Sequence, residues 1–355
     1  MNHRSKLLFL SFAGTALFSQ AQQAPPSVSA PNITSQVSGQ AAGKPVRPAT
    51  PIAIDRLDPA LDAVIAPESK VEKVADGFVF TEGPMWHEGK LWFSDVMGNK
   101  MYAMTPDGKA IVLIDHAGGL ESYPAGMSKG SNGMVTDKDG TVLMTQHGIR
   151  RIARLDKDLK QTTFLDSFEG KKFNSPNDLV FAPDGSLWIT DPPYGLTMQD
   201  RDPAKEAPFN GVYRYANGKL TAPIRDLTRP NGIGFTSDGK TLYVSNSGPQ
   251  MYVMKYDVAA DGTVSNGTKF IEYPGRAPDV PDGLKLDSAN NLWTSGPGGI
   301  RIISPAGKVL GQIKLPETAA NLAWADGGKT LYITGSTSIY RLKVKTLGAM
   351  PKYVR

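Results

Sequence analysis

The amino-acid sequence predicts an all-β chain folded as a six-bladed β-propeller. Three observations lead there: a self-similar segment that returns six times, turn dipeptides that separate short β-rich runs, and the absence of helical periodicity beyond the N-terminal segment.

In each repeat an acid or amide with a small or apolar neighbour opens a short apolar stretch, a Gly/Asp/Asn turn follows, and a strand such as Leu-Trp or Leu-Tyr closes it. The six run from Glu82-Gly83 to Leu91-Trp92, Asn132-Gly133 to Val142-Leu143, Asn177-Asp178 to Leu187-Trp188, Asn231-Gly232 to Leu242-Tyr243, Asp282-Gly283 to Leu292-Trp293, and Asn321-Leu322 to Leu331-Tyr332. Successive starts lie 39 to 54 positions apart, enough for about four strands and their turns. Asp107-Gly108, Asp139-Gly140, Asp184-Gly185 and Asp238-Gly239 supply the tight hairpins. A β-sandwich or β-solenoid predicts neither this period nor one polar residue at a fixed phase of it. Trp92, Trp188 and Trp293 stand at matched strand positions and read as packing between blades. Asp95, Asp191 and Asn246, at the ends of repeated strands, read as ties for the blade backbones.

Ahead of the repeats, Arg4 and Lys6 precede an apolar run from Leu7 to Phe18 and a small-x-small site at Ser19-Gln20-Ala21. That pattern reads as an export signal cleaved after Ala21, directing the chain to the periplasm or outside the cell. The run falls short of the ~20 residues that span a bilayer, so no membrane association is expected after cleavage. Residues 22–51 are rich in Pro, Ala, Ser, Gln and Thr and read as a flexible linker. Residues 52–73 form an N-terminal extension, 74–345 the propeller and 346–355 a C-terminal tail.

Composition excludes several functions. With no Cys there is no thiol nucleophile, disulfide or thiolate-bound zinc. The net charge of +5 comes from scattered Lys and Arg rather than a basic run, which argues against nucleic-acid binding. No Gly-x-Ser-x-Gly elbow or phosphate-binding glycine loop occurs. Nothing in the composition calls for more than a monomer or weak dimer.

In a propeller the innermost strand of each blade lines the central channel, so residues at one phase of the repeat form a ring. Glu82, Asn132, Asn177, Asn231, Asp282 and Asn321 are therefore expected to converge near the axis. Two carboxylates with several amide oxygens suit one hard divalent cation. The competing reading, Asn or Asp before Gly as a simple turn cap, does not explain the Glu in Thr81-Glu82-Gly83-Pro84.

Phe80-Thr-Glu82-Gly-Pro84-Met-Trp86, Asn174-Ser-Pro-Asn177-Asp178, Trp188-Ile-Thr-Asp191-Pro-Pro-Tyr194-Gly195, Pro230-Asn231-Gly232 and Pro281-Asp282-Gly283 resemble the gluconolactonase/regucalcin (senescence marker protein) sugar-lactonase family, in order and at blade spacing from about Val74 to Leu342. The resemblance implies Glu82, Asn231 and Asp282 as ligands of one divalent ion, Ca²⁺ first with Zn²⁺, Mn²⁺ or Mg²⁺ as alternatives. Asn177 beside them is implied as a further ligand or a substrate-orienting donor. Asn132 and the Gln146-His147-Gly148-Ile-Arg150-Arg151 stretch resemble the bacterial branch. Animal members carry an Arg shortly before the Asn-Asp motif, where this chain has Lys171, Lys172, Phe173 and Asn174. Asn132, Asn174, Asn177 and Tyr194 are candidate substrate contacts, Tyr194 equally a loop-packing residue. As general base Asp282 comes first and His147 second. The expected activity is hydrolysis of a sugar lactone to its acid. Two alternatives stay open: a propeller hydrolase of other lactones, esters or organophosphates, and a Ca²⁺-stabilised binding propeller without turnover.

Overall fold

The computed structural model describes residues 51–123, 127–274 and 279–353. The export signal and residues 22–50 of the linker lie outside the described residues. Six antiparallel sheets stand in a ring, which is the six-bladed β-propeller expected from the repeat. The inner strands of blades 1 to 6 are Thr81–His87, Ser131–Thr136, Leu179–Phe181, Pro230–Phe235, Leu284–Leu286 and Ala319–Ala325. Each inner strand lies against the next around the axis, and the sixth lies against the first.

Every blade alternates side chains to its two faces, and both faces are covered by neighbouring blades. The apolar core therefore divides into six clusters, one per blade interface. Met85, Met101, Met134 and Met144 fill the first interface, Leu143, Phe173, Leu179 and Tyr213 the second. Trp188, Ile233 and Phe235 fill the third, and Tyr243, Val253, Leu284 and Leu292 the fourth. The fifth joins Trp293 to Trp324 at 5.2 Å between ring centres. Leu91, Phe93, Ala323 and Tyr332 close the circle. Trp188 and Trp293 are fully buried, and Trp92 packs on the first cluster against His87. All three match the inter-blade role read from the repeat.

The N-terminal segment closes the ring. Strand Glu72–Asp76 pairs antiparallel with Ser338–Lys343 and becomes the outermost strand of the sixth blade. The chain thus fastens its two ends through backbone hydrogen bonds in one sheet. Residues 52–73, set apart in the sequence as an extension, also add Ala53–Arg56 as a fifth strand on blade 5. A single 3-10 turn, Pro59–Ala63, follows, capped by the Asp58 carboxylate accepting from Ala60 N–H at 2.8 Å. It buries Leu61, Val64 and Ile65 in the fifth interface. The tail runs along the opposite end of the channel: Ser288 N–H donates to Leu347, Gly348 N–H to Gly328 and Ala349 N–H to Leu286.

The strand-end acids and the amide of Asn246 act as ties. Asp95 accepts from the Val79 and Phe80 N–H groups at 3.0 and 2.9 Å. Asp191 accepts from Asn174 and Ser175 at 2.8 and 2.6 Å, and Asn246 from Arg229 at 2.7 Å. Each tie holds the segment that leads into the inner strand, so it aims the axial residue that follows. Leu61→Ala is expected to lower stability by about 2–4 kcal/mol through the cavity it leaves, read as a shifted urea midpoint with an unchanged slope. An unshifted midpoint would mean that the extension does not share the propeller core.

Candidate active site

Four of the six axial residues, Glu82, Asn132, Asn231 and Asp282, are followed by a glycine. A Cβ on Gly83 would lie 1.9 Å from the Asn132 carbonyl oxygen, one on Gly232 2.2 Å from that of Asp282, and one on Gly283 2.0 Å from the Asn321 side chain. The glycines of the repeat therefore exist so that inner strands can approach one another at the axis. Turn capping, the competing reading of Asn/Asp-Gly, is not what they do: these positions lie on or at the start of inner strands. Pairing slips by a residue at Glu82/Met85, Ser131/Met134, Pro230/Ile233 and Ala319/Asn321. Such bulges re-aim a side chain, here toward the channel.

The predicted ring forms. Asn132 Nδ2 donates to Asn177 Oδ1 at 2.8 Å, and Asn177 Nδ2 to Asn231 Oδ1. Asn231 Nδ2 donates to Ser247 Oγ at 3.0 Å and to the Tyr194 hydroxyl at 3.4 Å. On the other side Asn321 Nδ2 donates to Glu82 Oε2 at 3.0 Å. Asp282 completes the circle between Asn231 and Glu82. Glu82, Asn132, Asn177, Asn231 and Asn321 are all buried, while Asp282 keeps part of its surface at the channel mouth.

Two acids this close and this desolvated are both disfavoured as anions. Burial, then the charge of Asp178, pushes Glu82 up to about 7 against the pull of the Gly83 N–H and the Asn321 amide. Burial, followed by repulsion from Glu82 and Asp178, holds Asp282 well above the usual carboxylate range, because the channel walls desolvate it despite its partial exposure. Two buried oxygens of the ring, Glu82 Oε1 and Asn132 Oδ1, have no hydrogen-bond donor. A cation would meet both needs at once. Among the described residues no three His, Cys, Asp or Glu form a metal-ligating cluster; the donors at this axis are two acids and neutral amides, which suit an oxygen-loving ion.

His147 stands beside Asn177. Its Nδ1 is 2.8 Å from Ser128 Oγ, its Nε2 is buried without a partner, and burial pushes its pKa down to about 4. It is a neutral hydrogen-bonding group at working pH. Tyr194 reaches the ring through its hydroxyl, with burial and the nearby Asp282 raising its pKa. Asn174 does not join them: fully buried, its amide donates to Phe209 O at 2.8 Å and to Asp191 O at 3.2 Å. Its amide nitrogen thus braces blade 3 beside the Asp191 tie, while its buried Oδ1 has no hydrogen-bond partner. Arg150 supports the same segment by donating to Phe173 O and Ala204 O, each at 2.7 Å.

Ser128, Ser247 and Lys285 went unremarked in the sequence, and Asp178 figured there only as part of the Asn177-Asp178 motif. Ser128 sits on a loop outside the repeat, and Ser247 ends the strand Thr241–Ser247; neither carries a local signal. Asp178 and Lys285 did carry one, since each breaks its repeat with a charge. They line a separate cavity of about 520 Å³ at the opposite end of the channel, walled by Trp86, Phe181, Phe235 and Trp324 and bordered by tail residues 349–353. None of the six axial residues lines that cavity.

A pH dependence follows for the protein freed of divalent ions. Glu82 has a folded pKa near 7 against an ordinary 4.5, so the folded state binds the extra proton. Stability is then fully present below about 4.5 and is lost as pH rises through about 7. The melting temperature after chelation is expected to fall between pH 5 and 8 by a few degrees (roughly 2–4 °C), and saturating Ca²⁺ is expected to reduce that fall to the share left by Asp191, whose buried carboxyl is also pushed up to about 7. A melting temperature that rises across this window contradicts the buried acid pair.

Comparison with known proteins agrees with this architecture. Residues 80–337 match the family model described as SMP-30/Gluconolactonase/LRE-like region. The gluconolactonase of Zymomonas mobilis is 35% identical over 339 residues, 90% of this chain and 95% of that protein. The pentonolactonase of Haloferax volcanii is 26% identical over 268 residues, 71% of this chain and 80% of that one. The solved structure of a gluconolactonase from Xanthomonas campestris superposes with a TM-score of 0.72 at 30% identity, covering 84% of this chain and 99% of that one. A blade repeat, an axial ring of acids and amides, and these relatives together make the chain a member of the SMP-30/gluconolactonase/LRE-like family.

Proposed function

We propose that this protein hydrolyses a sugar lactone, a glucono-1,5-lactone type ester, to the open acid. A divalent cation would be held at the axis by Glu82, Asn231 and Asp282, with Asn177 at its edge. The observation that carries the reading is the convergence of two desolvated acids and their amide neighbours on one axis, with a buried Glu82 oxygen left unpaired. Kinship to enzymes named gluconolactonase and pentonolactonase supports the substrate class.

The roles of the residues follow from their surroundings. A divalent ion there would supply Lewis acidity to the lactone carbonyl and charge stabilisation as that oxygen becomes anionic. Asp282 is the acid that faces the mouth, and one of its oxygens can take the proton of the attacking water. His147, held neutral by burial, stands second as the base; its buried Nε2 can also hydrogen-bond a ligand. The Tyr194 hydroxyl, beside Asn231 and Ser247, is placed to meet a hydroxyl or the ring oxygen of the substrate. Asn132 and Asn177, linked in one amide chain, orient each other and the ligand. Export of the chain is part of the same proposal, since sugar oxidation outside the cytoplasm releases lactones there.

The test is acid release from glucono-1,5-lactone by the purified protein, after chelation and after return of Ca²⁺, Zn²⁺ or Mn²⁺. Activity is expected to vanish and to return with a divalent ion. Asp282→Ala is expected to lower kcat by about 10²-fold or more. Opening no faster than in buffer with every ion would mean a different ester or phosphotriester substrate, or a binding propeller.

A further inference from the structure

Directly beneath the axial ring lies a charged pair that the proposed chemistry does not use. Asp178 follows Asn177, at the position where Gly83, Gly133, Gly232 and Gly283 stand in four other repeats. Lys285 is the third residue after Asp282, where the remaining five repeats have Met85, Val135, Val180, Gly234 and Trp324. The chain thus places its one departure of each sign at two neighbouring points of the same channel.

The two meet there. Lys285 Nζ lies 3.8 Å from Asp178 Oδ2 and 3.4 Å from Asn321 Oδ1, and donates to Leu284 O at 3.0 Å. Asp178 is nearly buried, with 6% of its side chain exposed. The Asn321 amide nitrogen bridges the layers, 3.0 Å from Glu82 Oε2 and 3.5 Å from Asp178 Oδ2. Three carboxylates, Glu82, Asp178 and Asp282, therefore share one desolvated axis with a single ammonium. Their formal sum is two negative charges, the complement of one divalent ion.

We propose that Lys285 is a positioning residue that sets the charge of the axial site, neutralising Asp178 so that Glu82 and Asp282 remain to match a divalent cation. This rests on the reading of Glu82 and Asp282 as cation ligands. Without Lys285 the axis carries one negative charge too many, and the cation is held more tightly than turnover and exchange require. Without Asp178 the ammonium faces the cation site uncompensated and repels its occupant. Removing both restores the sum, so the two substitutions must cancel.

Calorimetric titration of Ca²⁺ into the chelator-treated full chain tests this with four proteins. Lys285→Met is expected to bind Ca²⁺ about tenfold tighter than wild type and Asp178→Asn about tenfold weaker. The double variant is expected within about threefold of wild type. A merely structural pair predicts weaker binding in both single variants and no recovery in the double. Wild type that binds no Ca²⁺ overturns the ligand reading together with this inference, whereas wild type that binds while Lys285→Met matches it overturns the charge-setting role alone. If Lys285→Met does not fold, the comparison of Asp178→Asn with the double variant decides: tighter binding in the double supports the inference, and equal or weaker binding overturns it.

Discussion

Repulsion between desolvated carboxylates at the axis is the interaction to which the rest of this structure answers. Glu82 and Asp282 are brought within each other's field by inner strands that could not approach without Gly83, Gly232 and Gly283. Left alone, such a pair favours a proton in place of one charge. The propeller tolerates it because the six inter-blade cores and the strand that joins the two ends of the chain resist the relaxation that would separate the acids. Stability in the blades thereby holds two acids together at the axis, the arrangement that the proposed cation would answer.

The same economy appears in the ties. Asp95, Asp191 and Asn246 are not at the chemistry, yet each fixes the backbone just before an axial residue. An inner strand held at its entry, bulged at the axial residue and locked by its neighbours presents one side chain to the channel with little freedom left. Asn174 illustrates the limit of that arrangement. It sits three residues before Asn177, in the very motif that signals the family, but the tie to Asp191 points its amide into blade 3.

The two ends of the channel are chemically different. One carries the acids, amides, His147 and Tyr194; the other is a wide, largely apolar cavity bordered by the C-terminal tail. Asp178, Lys285 and Asn321 form the layer between them. That layer holds one ion pair and bridges it by the Asn321 amide to Glu82, which is the contact on which the proposed charge setting rests.

Sequence by itself determined the fold class, the number of blades and the membership of the ring. A repeated strand pattern leaves few ways to bury both faces of every sheet, and a fixed phase must map to a fixed radius. The six axial residues, the inter-blade tryptophans and the strand-end ties were legible for that reason. Tertiary structure alone decided what those residues do to one another. The extension 52–73 looked separable because its strands have no partner nearby in the chain; their partners, Ser338–Lys343 and Val309–Lys314, arrive only when the ring closes. Asp178 and Lys285 meet across 107 positions of sequence, and Ser128 reaches the site from a loop and Ser247 from the end of a blade strand. Charge, desolvation and hydrogen-bond direction at the axis depend on distances that no single blade contains.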